Sequence, residues 1–343
     1  MTPTDAFRRH ALRDLPRYTS YPTAVAFHDG VGPRQAAEWA ASLDPDQPIS
    51  VYVHTPFCDQ LCWYCGCHTT VPNGYARVEA FARRLEREID GWAAALGAHA
   101  GAKWVHFGGG SPNSLNPADF AAVLERIRDR FAVRPDAEIA VELDPRSLTH
   151  AFVEGLGRGG VNRASLGVQT FDREVQAKIN RVQPFEMVAE SVRALREAGV
   201  AGINFDLMYG LPGQTVDSVA RSAALAAELG PDRLAVFGYA HVPWFKKHQT
   251  VIREDELAGI DERWAMAETA DAVLTAAGYV RVGLDHYARA GDEMAVAAAE
   301  GRLRRNFQGY TTDAAETLVP LGPSSIGQFR QGYVQNAKST ALW

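Results

Sequence analysis

Four cysteines occur in the 343-residue sequence, and all lie within one ten-residue stretch: Cys58, Cys62, Cys65 and Cys67 in HTPFCDQLCWYCGCHTT, residues 54–70. Thiolates are soft ligands for iron and zinc. The spacing C-x3-C-x2-C puts three thiolates in one loop, enough to hold three irons of a 4Fe–4S cluster while the remaining iron stays open to an external ligand. A four-thiolate structural zinc site usually divides into two C-x2-C pairs. Here there is one group, although His54 or His68 could complete a zinc set. Disulfides belong to exported chains, and the opening residues MTPTDAFRRHALRDLPRYTSYPT lack the apolar stretch of a secretory leader. The loop therefore reads first as a cluster site in a cytoplasmic chain, with zinc and disulfide pairing as alternatives.

Other residues able to do chemistry stand at the ends of apolar runs. HFGGGSP (106–112) follows a β-rich run with glycines that would let backbone approach a ligand closely; a plain strand-to-helix turn is the alternative. VELDP (141–145) and GVQTF (167–171) offer Glu142 and Gln169 for hydrogen bonds to a ribose or an amino group. INFDLMYGLPGQT (203–215) sets Asp206 inside an apolar run, where a charge is costly unless paired or in contact with a ligand. A structural salt bridge would also satisfy it.

The elements that position these residues alternate. Strands are predicted at 49–55, 102–110, 137–145, 163–171, 201–213 (ending in a turn) and 232–243. Helices are predicted at 75–96, 116–131, 149–158, 185–199, 215–230 and about 262–277. Asn116 followed by Pro117 reads as a helix start, and Gly199 as a helix stop. Six β–α repeats imply a parallel sheet with helices outside. The polar residues and glycines gather at the strand C-terminal ends, which carry the site in barrels. The fold expected is α/β, an incomplete (β/α)6-type TIM-like barrel over 49–278; a doubly wound open sheet is the main alternative. Residues 1–48 form an N-terminal segment, and 279–343 form a C-terminal extension that reads as irregular. The net charge of −6 argues against a nucleic-acid partner held on a basic face, and no run of 18 apolar residues exists to span a membrane.

With Tyr64 before the third cysteine, the loop resembles the signature of the radical S-adenosylmethionine (SAM) superfamily. The resemblance implies a 4Fe–4S cluster held by Cys58, Cys62 and Cys65, with the unique iron binding SAM and its reduction yielding a 5′-deoxyadenosyl radical. Cys67 and the segments RYTSYPTAVAF (17–27), YVHTPFC (52–58), YAHVPWF (239–245) and RNFQGYTT (305–312) resemble, within that superfamily, the oxygen-independent coproporphyrinogen III oxidases, or coproporphyrinogen dehydrogenases. The match runs from residue 17 to about 336.

That resemblance implies oxidative decarboxylation of two propionates of coproporphyrinogen III to vinyl groups, giving protoporphyrinogen IX in anaerobic haem synthesis. It also implies a reducing electron-transfer protein as partner, a monomer, and a second SAM beside the first. Carried over by position, Tyr52, Gly109, Gly110, Ser111, Glu142, Gln169, Arg181, Asp206, Ala240 and Ile326 match SAM-contacting positions. Tyr64, Gly66 and the non-ligand Cys67 lie in the cluster loop beside them. Arg17, Arg302, Arg304 and Arg305 are candidates for the substrate carboxylates. Ser111 and Asn113 stand where the family has threonines. The family continues as a helical C-terminal domain that covers the site; the sequence ends at Trp343, so a shortened form that binds cofactors without turnover is one expectation. A haem-binding or haem-delivery relative is another, disfavoured by Cys67 and NFQGYTT.

Overall fold

The computed structural model of the chain describes residue 9, residues 26–307 and residues 309–343. Arg17, Gln308 and most of segment 17–27 lie outside the described residues. After helix α1 (Pro33–Ala41), strands and helices alternate as the periodicity predicts. They run β1 (Ile49–Thr55), α2 (Ala76–Ala95), β2 (Ala102–Gly109), α3 (Pro117–Arg130), β3 (Glu138–Leu143), α4 (His150–Arg158) and β4 (Arg163–Gln169). A short α5 (Arg173–Lys178) and α6 (Phe185–Glu197) lead to β5 (Gly202–Tyr209), α7 (Val216–Glu228), β6 (Arg233–Gly238) and α8 (Ile260–Ala276). The starts and stops have local causes. Asn116 caps α3 by accepting from the Asp119 N–H at 2.7 Å, and Thr215 with Ser218 forms a capping box on α7. Gly199 ends the α6 segment at φ +90°.

Residues 279–343 correct the expectation of irregularity. They hold β7 (Tyr279–Val282), β8 (His286–Arg289), α9 (Glu293–Ala299), β9 (Arg304–Asn306), β10 (Gly309–Thr311), β11 (Thr317–Leu321), β12 (Ile326–Phe329) and β13 (Gly332–Gln335). These strands are three to five residues long and carry little periodic signal. TLVPL also contains Pro320, which argues against a strand inside a sheet. Pro320 is tolerated because β12 pairs with β11 only at Leu318↔Gln328, and because Gly327 leaves room for the proline ring.

Eleven strands form one sheet in the order β13-β12-β11-β1-β2-β3-β4-β5-β6-β8-β7, with β11 and β1 to β6 parallel. Side chains alternate between the two faces. On β2, Val105 and Phe107 pack among the helices, where Leu85, Phe120, Leu124 and Ile127 close a single main core. The opposite face is polar. Register aligns Tyr52 with His106, Glu142 with Ser165, and Gly167 with Asp206. That face is left over from core formation, and it points the polar side chains at common cavities. Among the described residues, no helix is long and apolar enough to cross a membrane.

Candidate active site

The cysteine loop leaves β1 and is closed at its neck, where Thr70 donates to the Pro56 carbonyl (2.9 Å) and Cys58 N–H to that of Thr70 (3.2 Å). Its carbonyls are held from several sides. Asn180 donates to Leu61 O, Gln249 to Tyr64 O, His248 to Cys65 O and Lys246 to Cys67 O, all at 2.7–2.9 Å. The loop is thus clamped to the segments after α5 and after β6, and its thiols face the sheet.

Donors already point at the sulfurs. Thr69 Oγ1 lies 3.1 Å from Cys58 Sγ, and Arg146 and Arg181 lie 3.3 and 3.4 Å from Cys62 Sγ. The Cys67 side chain, by hydrogen bonding, and then the Cys67 backbone N–H at 3.4 Å from Cys65 Sγ together outweigh burial and lower the Cys65 thiol. Burial pushes Cys58 up to about 11 against the Thr69 bond. Both arginines also pair with Asp144, at 2.6 Å and 3.3 Å. Burial would raise the Asp144 carboxyl, but the Arg146 bond and the Arg181 charge hold it below its usual range. Among the described residues no three His, Cys, Asp or Glu side chains converge on one point as a single metal ion requires. Cys58, Cys62 and Cys65, spread around one cavity and each met by a donor, fit a multi-iron cluster in which each iron takes one thiolate.

Opposite the loop, Gly109 has φ +103°, and a Cβ there would stand 2.4 Å from His54 Nδ1; one on Gly110 would stand 2.4 Å from the Phe57 carbonyl. The glycine segment therefore packs directly on β1 and on the neck of the cysteine loop, which a bare turn would not require. Ser111 donates to Asn113 Oδ1 at 2.6 Å, and Asn113 Nδ2 donates to the Asp144 carbonyl at 3.0 Å, tying this segment to the end of β3. Gln169 is buried with φ +64°, beside a register shift between β4 and β5. A non-glycine residue held there marks a site where the fold overrides local preference.

Two carboxylates close the floor. Glu142 accepts from His106 Nε2 (3.0 Å) and the Gly109 N–H (3.1 Å). Burial would raise its pKa, but the His106 bond and charge and the Gly109 bond hold it below the usual range. Its side chain is 38% accessible because it opens into the cavity. Asp206 pairs with no described residue, and burial followed by the Glu142 charge raises it to about 7. Among the described residues no salt bridge to Asp206 is formed.

One cavity thus gathers Cys58, Cys62, Cys65, Cys67, Tyr64, Gly66, Gly109, Gly110, Ser111, Glu142, Gln169, Arg181 and Asp206. Three predicted site residues lie outside its wall. Tyr52 is buried below it, stacked on His106 and edge-on to Phe307. Ala240 is exposed beside the loop, its carbonyl 3.4 Å from Gln249 Nε2. Ile326 follows Ser325, whose hydroxyl reaches the Tyr52 carbonyl. Arg302 pairs with Glu300 and lines a cavity at the opposite end of the strands with Lys103 and Asp232, so it does not face the thiols. Arg304 and Arg305 are exposed, Arg305 lying over the Tyr310 ring. Sequence reasoning counted Asp144 only among the polar strand-end residues and missed Arg146 altogether; both line the thiol cavity. The tripeptide DPR (144–146) after a strand was the available signal, but its link to Cys62 exists only once the loops meet.

A cysteine loop, a glycine cradle and strand-end carboxylates above parallel strands define a radical SAM domain, and the Radical SAM superfamily profile matches residues 52–226. The oxygen-independent coproporphyrinogen III oxidase of Bradyrhizobium diazoefficiens is 51% identical over 322 residues, covering 94% of this chain and 72% of that one. The enzyme of that name from Escherichia coli is 42% identical, covering 94% and 70%. A solved structure of coproporphyrinogen III oxidase from Escherichia coli, described as a radical SAM enzyme, superposes with a TM-score of 0.91 at 40% identity over 95% of this chain and 75% of that one. The chain belongs to the oxygen-independent coproporphyrinogen III oxidase family.

Proposed function

We propose that the chain catalyses the radical SAM oxidative decarboxylation of coproporphyrinogen III, converting two propionates to vinyl groups and forming protoporphyrinogen IX. The observation that carries this reading is the single cavity in which Cys58, Cys62 and Cys65 face the Gly109–Gly110 cradle and the Glu142 and Asp206 carboxylates, in a chain of this family. When bound, the cluster supplies the electron that cleaves SAM to the radical that takes a propionate hydrogen; loss of CO2 and of one electron to an acceptor then leaves the vinyl group.

The chain's own residues bind and orient. Cys58, Cys62 and Cys65 hold the irons, while Cys67 stays a non-ligand whose N–H tempers the Cys65 sulfur. Arg146 and Arg181 stand at the Cys62 sulfur, where they would offset the negative charge of a cluster-bound thiolate. The Gly109–Ser111 backbone and Glu142 are suited to an amino group, and Gln169 and Asp206 to ribose hydroxyls, because each is an acceptor or donor facing the cavity. Tyr64 and Gly66 line the same cavity; we assign Tyr52, Ala240 and Ile326, outside its wall, to the SAM site as well, with Gln169 and Ile326 open to either the first or a second SAM. We divide the chain into the segment 1–48, a six-unit incomplete barrel over 49–278, and an extension over 279–343 that completes the SAM and substrate site. We also take the protein to be cytoplasmic, because four clustered cysteines suit a reducing compartment, and a monomer reduced by an electron-transfer protein, as the family resemblance implies.

Anaerobic reconstitution tests the reading. Roughly four irons per chain and, with SAM, a reductant and coproporphyrinogen III, release of 5′-deoxyadenosine and CO2 are expected. Cys58→Ala, Cys62→Ala and Cys65→Ala should each lose the cluster, and Cys67→Ala should keep it. One zinc without iron, or haem transfer without CO2, would sink the reading.

A further inference from the structure

Glu88 lies on α2, away from the thiol cavity, between the core residues Leu85 and Ile89. Its two oxygens take three N–H donors from one distant part of the chain. Oε2 accepts from the Gly322 N–H at 2.6 Å, and Oε1 accepts from Asn336 Nδ2 at 2.7 Å and Trp343 Nε1 at 2.9 Å. These partners are 234 to 255 residues away in sequence, so the carboxylate closes a contact that the sheet ladder alone does not make.

What it closes is the turn between β11 and β12. Gly322 has φ +86°, and a Cβ there would stand 2.3 Å from the His54 carbonyl, so the turn lies hard against β1. Ser325 Oγ approaches the Tyr52 carbonyl at 3.5 Å. From the other side Asn336 Nδ2 donates to the Gly322 carbonyl (2.9 Å), its N–H to that of Ser325 (2.9 Å), and Ser324 N–H to that of Ala337 (2.9 Å). The turn is therefore held between β1 and the segment 336–337, with Glu88 joining both to α2. The residue leaving the turn is Ile326.

We propose that Glu88 is a positioning residue for the SAM site: through Gly322 and Asn336 it seats the β11–β12 turn on β1, and so sets where Ile326 stands relative to Tyr52. The inference rests on the SAM-binding reading above. All three partners are donors, so a carboxamide cannot replace the carboxylate without turning an NH2 toward an N–H. Glu88→Gln thus tests the acceptor set with almost no change of volume.

The experiment compares the wild type with Glu88→Gln, Glu88→Ala, Asn336→Ala, the Glu88→Ala/Asn336→Ala pair, and Leu85→Ala as a destabilised control on the same helix. Each protein is measured for amide exchange in the cluster-free state, for iron per chain, and for SAM dissociation constant after reconstitution. Glu88→Gln and Glu88→Ala are expected to speed exchange at least tenfold over residues 321–326. They should keep wild-type iron and weaken SAM at least tenfold, with the double variant less than additive. Leu85→Ala should lose thermal stability with SAM affinity held within twofold. If both Glu88 variants bind SAM within twofold of wild type, whatever their stability, the positioning role is overturned. If the wild type itself binds no cluster or SAM, the functional reading fails first, and the inference with it.

Discussion

Asp206 is the residue whose chemistry the environment changes most visibly. It sits on β5 facing the cavity, pairs with no described residue, and is raised to about 7 by burial and by Glu142. The folded value lies above the unfolded value of about 4. The protonated form is therefore the one the fold favours, and the stability it contributes is lost as pH rises from about 4 to 7. Asp206→Asn removes this dependence. At pH 8 the cofactor-free variant should be more stable than wild type by about 1–3 kcal/mol, and near pH 4 the two should converge, as read by urea unfolding at each pH. The same variant should weaken SAM, because a carboxylate that costs stability in the free protein is repaid only by a ligand. Equal stability at pH 8 would contradict the account. The charge itself was legible, since an Asp in the run INFDLMY demands a reason. A ligand contact was one of the two reasons the sequence offered; that His106 and Glu142 would share a cavity with Asp206 was not legible, because the three come from three strands.

At the scale of elements, periodicity placed β1 to β6, six of the seven parallel strands, and the longer helices between them but not the short α5, because each of these buries one face in one core and so carries a regular apolar pattern. It stopped at β7 to β13, where short strands rely on neighbours for their pairing and Pro320 disguises β11. The strand-to-helix connection after β2 was read as a place where backbone approaches a ligand; its close approaches in the structure are to β1 and the cysteine loop, and that geometry gives a sharp expectation. Gly109→Ala meets both a positive φ and His54 at 2.4 Å, and Gly110→Ala meets the Phe57 carbonyl at the same distance. Each should cost about 1–3 kcal/mol and weaken SAM at least tenfold in equilibrium dialysis of reconstituted protein. Since Phe57 adjoins Cys58, Gly110→Ala should also lower iron loading, whereas Gly109→Ala should not. The reverse pattern would show that the cradle and the cysteine loop are not coupled in this way.

The whole molecule is organised so that its late-coming strands do not form a separate unit. β11 lies directly beside β1 in the same sheet, with Ile49 to Val53 paired to Thr317 to Leu321. Phe329 on β12 is buried at 3% exposure and stacks on Trp92 of α2 and tilts onto Trp39 of α1. One aromatic cluster thus bridges the first described helix, the first β–α repeat and the last strands. Loosening it should be felt throughout and not only at the sheet edge. Phe329→Ala should cost about 3–5 kcal/mol, as for other buried phenylalanines, lowering the unfolding midpoint by roughly 4–7 °C for a chain of this size. Far-ultraviolet circular dichroism and the near-ultraviolet tryptophan signal should report a single coincident transition in both wild type and variant. The same cluster holds the strands that carry Ile326, so SAM affinity should fall in Phe329→Ala, while iron loading through a cysteine loop clamped from 180 and 246–249 should persist. A second, earlier transition in the variant would mean that β11 to β13 unfold by themselves, and that their place beside β1 does not bind them into one cooperative structure.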